Sequence, residues 1–175
     1  MRTSADTSAR PAPRVVSAAD VGILLLRLAV GVILAGFGAQ KLFGWFGGPG
    51  LDATGKSFAD LGYEPGVFFA GLAGVSEVLG GLGLAVGLLT PLAAAAAVGV
   101  MINAMAVAPD VTLWSPEGPA FAYPMTFAVA ALTIAAVGPG RLSLDALFPW
   151  RDGGWVPAAV ALVLGVVGGV VVLAL

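Results

Sequence analysis

Two ionisable side chains, Arg27 and Glu77, lie inside long apolar stretches of this 175-residue sequence. Because lipid does not solvate a bare charge, an ionisable group at membrane depth is expected to have either a partner or a function. Glu77 is the principal candidate: it can accept a proton, contact a quinone head group or a transported solute, or make a hydrogen bond that fixes helix register. All of these roles stay open.

The residues around Glu77 predict the direction in which its side chain points. At 100° per residue, one face of a helix carries Glu77 with small residues, and the opposite face carries bulky ones. The small residues are Ala70, Ala73, Gly74, Gly80 and Gly81, and the bulky ones are Phe68, Leu72, Val75, Leu79, Leu82 and Val86. Small residues line helix contacts in membranes, so Glu77 is predicted to point into a helical bundle.

Two further polar residues are candidate partners of Glu77. Asn103 and Glu77 each lie about twelve residues from Thr90-Pro91, roughly 18 Å along antiparallel helices, so the Asn103 amide is expected at the depth of Glu77. Arg27 lies about seven residues, roughly 10 Å, into its own segment. Its side chain can reach Glu77 or extend towards the lipid head groups, and the lean of helical side chains favours the head groups.

Five apolar segments must position these residues. Hydrophobic residues make up 59% of the chain and charged residues 10%, against about 25% charged residues in soluble domains. About 20 helical residues cross a hydrocarbon layer of about 30 Å. The predicted spans are 20–42, 66–89, 91–108, 121–137 and 156–175. The sequence therefore predicts an all-α membrane protein, a four-helix transmembrane bundle plus a fifth C-terminal transmembrane helix.

Composition and loop charge predict the domain organisation and orientation. Residues 1–19 are polar and rich in Ser, Ala and Pro, so they are expected to form a disordered cytoplasmic tail. Residues 20–150 then hold the four-helix core, and residues 151–175 the additional helix. Arginines lie in the tail and, as Arg141 and Arg151, after the fourth segment, which predicts a cytoplasmic N-terminus.

The chain has no cysteine and no histidine. Disulfides, thiol redox chemistry, common zinc sites and bis-histidine haem are therefore excluded, and no metal is expected. If redox chemistry occurs, the electrons must reside on a bound small molecule or a partner subunit. The chain is accordingly not expected to be an enzyme by itself, although a role as an oxidoreductase subunit stays open. The net charge of −2 and the lack of a basic cluster argue against nucleic acid as a partner.

Residues 50–57, GLDATGKS, match the phosphate-binding pattern GxxxxGK[ST]. That pattern binds phosphate only when a strand precedes it and a helix follows it, so that backbone amides surround the phosphate. Here it falls in a predicted outer loop of about 25 residues between two spans, where there is no room for a sheet. No nucleotide is expected, and the segment is interpreted as a glycine-rich interfacial loop with Lys56 in solvent.

Two other patterns favour packing. Met101 and Met105 lie four residues apart, but methionine is an ordinary apolar filler and no other soft metal ligand is present. Gly165-x-x-x-Gly169 is a helix-contact pattern that predicts packing of the fifth segment on the bundle or on another subunit.

Three stretches of the sequence together resemble the DoxX family of small bacterial membrane proteins. They are LLRLAVGVILAGFGAQKLFGWFG, AGVSEVLGGLGLAVGLLTPLAA and GPGRLSLDALF. The resemblance covers about residues 20–150 and implies a four-helix core in the bacterial plasma membrane. It also implies an association with quinone-linked or stress-related oxidoreductases. Arg27, Lys41, Glu77 and Arg141 occupy characteristic positions of the family, and the fifth segment departs from its four-helix plan.

The resemblance and the missing redox side chains together predict a noncatalytic or quinone-contacting component of a membrane redox assembly. No intrinsic cofactor is expected, and quinone is the candidate bound molecule. Expected partners are the lipid bilayer and either oxidoreductase subunits or further copies of the chain. Two alternatives stay open: a small proton-linked transporter or solute-binding bundle that uses Glu77, and a purely structural assembly subunit. Candidate ligand or proton-site residues are Glu77, Arg27, Asn103 and Lys41, and no catalytic residue is assigned.

Overall fold

The computed structural model describes residues 16–108, 112–114 and 120–175. These residues contain six α-helices and no strand. In chain order the helices are α1 (Ala18–Phe43), α2 (Gly50–Asp60), α3 (Gly66–Val86), α4 (Thr90–Ala106), α5 (Ala122–Val137) and α6 (Trp155–Ala174). Most of the predicted tail lies outside the described residues; α1 begins two residues before the predicted start, with Ser17 as its N-cap.

The lengths of the helices determine which of them can cross a membrane. Among the described residues, α1, α3 and α6 have the length and composition of membrane spans. Helices α4 and α5 are apolar but shorter, with 17 and 16 residues. The all-α membrane fold is confirmed in this coarser form, while the crossing of the bilayer by α4 and α5 stays a prediction.

Helices α1 and α3 pack closely because glycines face each other across their contact. An added Cβ at Gly81 would lie 2.5 Å from the Gly31 carbonyl oxygen, and one at Gly38 would lie 2.5 Å from the Gly74 carbonyl oxygen. Two backbones approach this closely only where neither residue carries a side chain. The bulky face of α3 is exposed, as predicted, and its small-residue face is largely buried.

The core lies where α1, α3, α4 and α5 meet. Leu34, Leu84, Ala94 and Ile134, one from each of these helices, are all fully buried. Met101 is 5% exposed and belongs to the same cluster, so its predicted role in packing is confirmed. The tight turn at Thr90-Pro91 is also confirmed, because α4 begins there with the proline in its first turn.

The glycine pattern of α6 contacts the bundle. An added Cβ at Gly165 would lie 2.7 Å from the Val98 Cβ, and one at Gly169 would lie 3.1 Å from the Gly99 carbonyl oxygen. Because Gly165 faces Val98 and Gly169 faces Gly99 and Ile102, α6 runs parallel to α4. The open choice between the bundle and another subunit is thus resolved for these two glycines, which face α4 of the same chain.

Replacing Gly165 with alanine is expected to destabilise the protein relative to a matched Gly168→Ala variant. Both changes gain similar helix propensity, but only the new methyl group at position 165 meets neighbouring atoms, since nothing lies within 4 Å of a Cβ at Gly168. We expect a difference of about 2 kcal/mol in unfolding free energy, the usual effect of overpacking. Thermal unfolding in detergent measures it; equal melting of the two variants would contradict this helix contact.

The predicted loop at residues 50–57 is wrong. Gly50–Asp60 forms α2, and this helix begins at the first glycine of the phosphate-binding pattern rather than after its lysine. An added Cβ at Gly55 would lie 2.6 Å from the Val67 Cγ2, so that glycine allows α2 to pack on α3. Lys56 is exposed, as predicted. The backbone amides of Gly50–Ser57 therefore do not form the phosphate-binding loop that the letters suggest.

Candidate functional site

Glu77 forms a buried ion pair with Lys41. The Lys41 Nζ donates to both carboxylate oxygens of Glu77, at 2.9 and 2.7 Å. Lys41 lies in the last turn of α1, and the close approach of α1 to α3 at Gly38 and Gly74 brings the two side chains together. The Glu77 side chain is 4% exposed and the Lys41 side chain is 25% exposed. The ion pair is therefore accessible from the side of Lys41. The prediction that Glu77 points into the bundle is confirmed.

The expectation that Asn103 pairs with Glu77 is wrong. The Asn103 Nδ2 donates to the carbonyl oxygens of Gly99 and Gly169, both at 3.0 Å. Its Oδ1 accepts a hydrogen bond from the Tyr63 hydroxyl at 3.0 Å. A phenol is protonated at neutral pH and can donate, and burial raises the pKa of Tyr63 further. Asn103 therefore links α4 to α6 and to the segment between α2 and α3.

A cavity of 430 Å³ lies beside the ion pair. Small residues of α4, among them Ala96 and Gly99, form its floor, and α3 and α6 form its two sides. Aromatic rings close the end near α2. These rings are Phe58, Tyr63 and Phe69, with centroid separations of 5.4 Å for the first pair and 5.5 Å for the second. The cavity is therefore mostly apolar and aromatic.

Few polar side chains line this cavity. They are Lys41, Tyr63, Ser76, Glu77 and Asn103. Three of the sequence-predicted site residues, Glu77, Asn103 and Lys41, thus lie around one cavity without a direct Glu77–Asn103 contact. A few convergent polar groups in an otherwise apolar cavity of this size are typical of a small-molecule binding site.

Arg27 is buried apart from this cavity and is 1% exposed. Its Nε donates to the Leu84 carbonyl at 3.0 Å, and its Nη2 donates to the Ala85 carbonyl at 2.8 Å. Its Nη1 donates to the carbonyls of Pro139 and Leu142. The predicted alternative of a contact with Glu77 is therefore wrong, while the position of Arg27 relative to the head groups stays a prediction. The guanidinium binds the C-terminal end of α3, where helix carbonyls lack intrahelical partners.

Comparison with protein families identifies the chain. The DoxX family model matches residues 22–110, which is just over half of the sequence. The chain belongs to the DoxX family. No curated protein and no solved structure matches it. The matched residues include α2, α3, α4, the part of α1 from Gly22 onward and the four candidate site residues of the sequence, while α5 and α6 lie beyond them.

A second buried acid, Asp145, completes the polar contacts near Arg27 in this DoxX protein. The Asp145 carboxylate is fully buried and accepts from the backbone amides of Leu89 and Thr90, both at 2.8 Å. It therefore binds amides at the start of α4, which Leu89 enters with a left-handed backbone at φ 49°. The Asp145 amide donates in turn to the Gly87 carbonyl at 2.7 Å, which joins the loop to the end of α3.

The same loop is also bound to the start of α1. Asp20 accepts from the Ser17 amide and hydroxyl within a capping box, and its other oxygen accepts from the Arg141 amide at 3.1 Å. Arg141, a characteristic family position, thus uses its backbone to fix the loop to α1. Together with Arg27 and Asp145, this contact connects α1, α3 and α4 at one end of the bundle.

Sequence reasoning missed three residues of these sites. Tyr63 and Asp145 bind groups 40 or more residues away, Asn103 and the amides at the start of α4, so local spacing contains no signal for these contacts. Asp145 has the residue type of a helix cap, but the amides it binds are more than 50 residues away. Ser76 precedes Glu77 on α3 and lines the cavity together with small residues of α4.

Proposed function

We propose that this DoxX protein is a noncatalytic component of a membrane redox assembly and that it binds a quinone. The observation that carries the proposal is the 430 Å³ cavity with the Lys41–Glu77 pair on its wall. Cavities of about 300–1,000 Å³ hold cofactor-sized molecules. A quinone ring is flat, apolar on its faces and rich in acceptor oxygens at its edges, which matches aromatic walls and a few donors.

The polar groups of the cavity suit a ligand that accepts hydrogen bonds. An ammonium group has three N–H donors, and Lys41 directs two of them at Glu77. The third is available to a ligand oxygen, as is the hydroxyl of Ser76. The ring can also stack on Phe58, Tyr63 or Phe69, since aromatic pairs prefer offset or edge contacts at such distances.

A binding and positioning role suits the residues available. The sequence has no cysteine and no histidine, so electrons are expected to pass between the quinone and a partner rather than through side chains of this chain. Oxidoreductase subunits or further copies of the chain are the proposed partners. We place the protein in the bacterial plasma membrane with its N-terminus in the cytoplasm, with a four-helix core over residues 20–150 and α6 added to it.

A proton-linked transporter or solute-binding bundle is the second candidate. Lys41 is partly exposed while its partner is buried, and such a pair beside a cavity can exchange a proton with a bound solute. Proton-linked flux into proteoliposomes that is abolished by Glu77→Gln would favour this candidate. Flux that survives this change would count against it.

The quinone proposal is tested by mild purification, extraction of bound lipid and mass spectrometry. Quinone is expected to co-purify with the wild type and to be lost from a Lys41→Met/Glu77→Gln double variant, which removes the polar end of the cavity while leaving no unpaired charge. Lys56→Met is the matched control, because Lys56 is exposed on α2 and does not line the cavity. Absence of both a quinone and a co-purifying oxidoreductase from the wild type would favour the purely structural subunit.

A further inference from the structure

Residues on two sides of the cavity are also exposed on the outside of the bundle. Leu72 of α3 is 41% exposed and Leu164 of α6 is 48% exposed, and both line the cavity. Gly168, one turn beyond Leu164 on α6, is exposed and lines it as well. The cavity is therefore bounded on this side by residues that face both its interior and the surroundings of the protein.

This open side lies at the depth of the acyl chains. Leu72 is six residues from the start of α3 and Gly168 six residues from the end of α6, so each lies about 9 Å inside its helix end. Both helices have the length and composition of membrane spans. Since such helices match a hydrocarbon layer of about 30 Å, the gap between them faces lipid rather than water.

We propose that the ligand enters sideways from the bilayer, between α3 and α6, and that it is a neutral lipid with an acceptor-bearing head group and a flexible apolar tail. This inference rests on the proposed function and specifies its ligand. The head group lies near Lys41 and Glu77. The tail passes over Gly168 and leaves the cavity between Leu72 and Leu164.

The charges of the cavity select a neutral head group. The charges of Lys41 and Glu77 cancel at a separation of 2.7 Å, so the ligand need not supply a counter-charge. An anionic head group would meet the Glu77 carboxylate and a cationic one the Lys41 ammonium, each at a depth where charge is poorly solvated. A carbonyl oxygen meets neither difficulty and accepts from the remaining N–H of Lys41.

Gly168 determines whether a tail can pass. A Cβ at this position has no neighbour within 4 Å, so a larger side chain fits without moving the backbone and projects into the open side of the cavity. Helix α6 is still held through Gly165, Gly169 and Asn103. Gly168→Leu is therefore expected to narrow the passage while leaving the fold intact.

The experiment compares two naphthoquinones in nanodiscs, one with an isoprenoid tail and menadione, which has the same ring without a tail. Binding to empty nanodiscs is subtracted, because the tailed compound dissolves in lipid. Gly168→Leu is expected to weaken binding of the tailed quinone about tenfold or more, the loss expected when about two methylene contacts are excluded. Its affinity for menadione is expected to stay within about twofold of the wild type.

Gly36→Leu is the matched control. Gly36 also has no neighbour within 4 Å of an added Cβ and lies on α1 away from the cavity, so its replacement should alter neither affinity. Equal loss of both quinones in Gly168→Leu, or no loss of either, would overturn the tail passage while leaving the proposed function in place. Failure of the wild type to bind either quinone would overturn both.

Discussion

Replacing Arg27 with methionine is expected to destabilise the protein by about 4 kcal/mol or more and to prevent its accumulation in folded form. The guanidinium donates to four backbone carbonyls and is 1% exposed. Methionine has a similar length but no donor, so these carbonyls lose a partner where lipid and packed helices replace water. Each buried acceptor left unpaired costs about 1–3 kcal/mol, partly offset by the apolar side chain.

Thermal unfolding in detergent and the yield of monodisperse protein measure the effect. Arg27→Lys is expected to be intermediate, because an ammonium keeps the charge but cannot reproduce the planar arrangement of donors. Arg151→Met is the control. Arg151 is about half exposed and pairs only loosely with the exposed Asp152, so its loss should change stability by less than about 0.5 kcal/mol. An Arg27→Met protein as stable as wild type would show that these contacts do not hold the loop.

Breaking the Lys41–Glu77 pair on one side is expected to be the second largest effect. Lys41→Met leaves the Glu77 carboxylate buried without a cation, and Glu77→Gln leaves the Lys41 ammonium without its counter-charge. Each single change is expected to destabilise the protein by about 3 kcal/mol, the low end for buried pairs because Lys41 is a quarter exposed. The double variant, which leaves no unpaired charge, is expected to recover most of that loss.

A double-mutant cycle of unfolding free energies measures the coupling between the two residues. A coupling energy of about 2 kcal/mol or more would agree with the hydrogen-bonded pair, and additive effects would contradict it. The cycle also separates stability from function. If the double variant is stable but no longer retains quinone, the pair acts on the ligand; if it is stable and retains quinone, the pair serves the fold alone.

The two charged residues that the apolar stretches isolate therefore have different roles. Arg27 and Lys41 lie fourteen residues apart on α1, a distance of about 21 Å along the helix. The carbonyl groups that bind Arg27 are therefore far from the cavity beside Lys41. Within the described part of the chain, the hydrogen bonds of Arg27 go to backbone carbonyls, and they hold α1, α3 and the loop after α5 together. Glu77 lines a cavity with its partner, and the proposed function depends on that pair.

The helices, their exposed faces and the family are determined by the sequence itself. Apolar runs of span length predict helices because the backbone must satisfy its own hydrogen bonds in lipid. The 100° spacing of small and bulky residues correctly predicts which face of α3 is buried. Helix α2 is missed because its glycines and its resemblance to a phosphate-binding pattern indicate a loop, whereas its apolar residues pack on α3.

The tertiary structure alone decides which polar groups meet. Asn103 lines the same cavity as Glu77 but binds Tyr63 and Gly169, and Lys41 reaches Glu77 because glycines bring α1 within contact of α3. Depth follows from counting residues along one helix, but a hydrogen bond depends on the rotation and separation of two helices. Those are set by packing between residues distant in sequence, as is the cavity that α3, α4 and α6 enclose together.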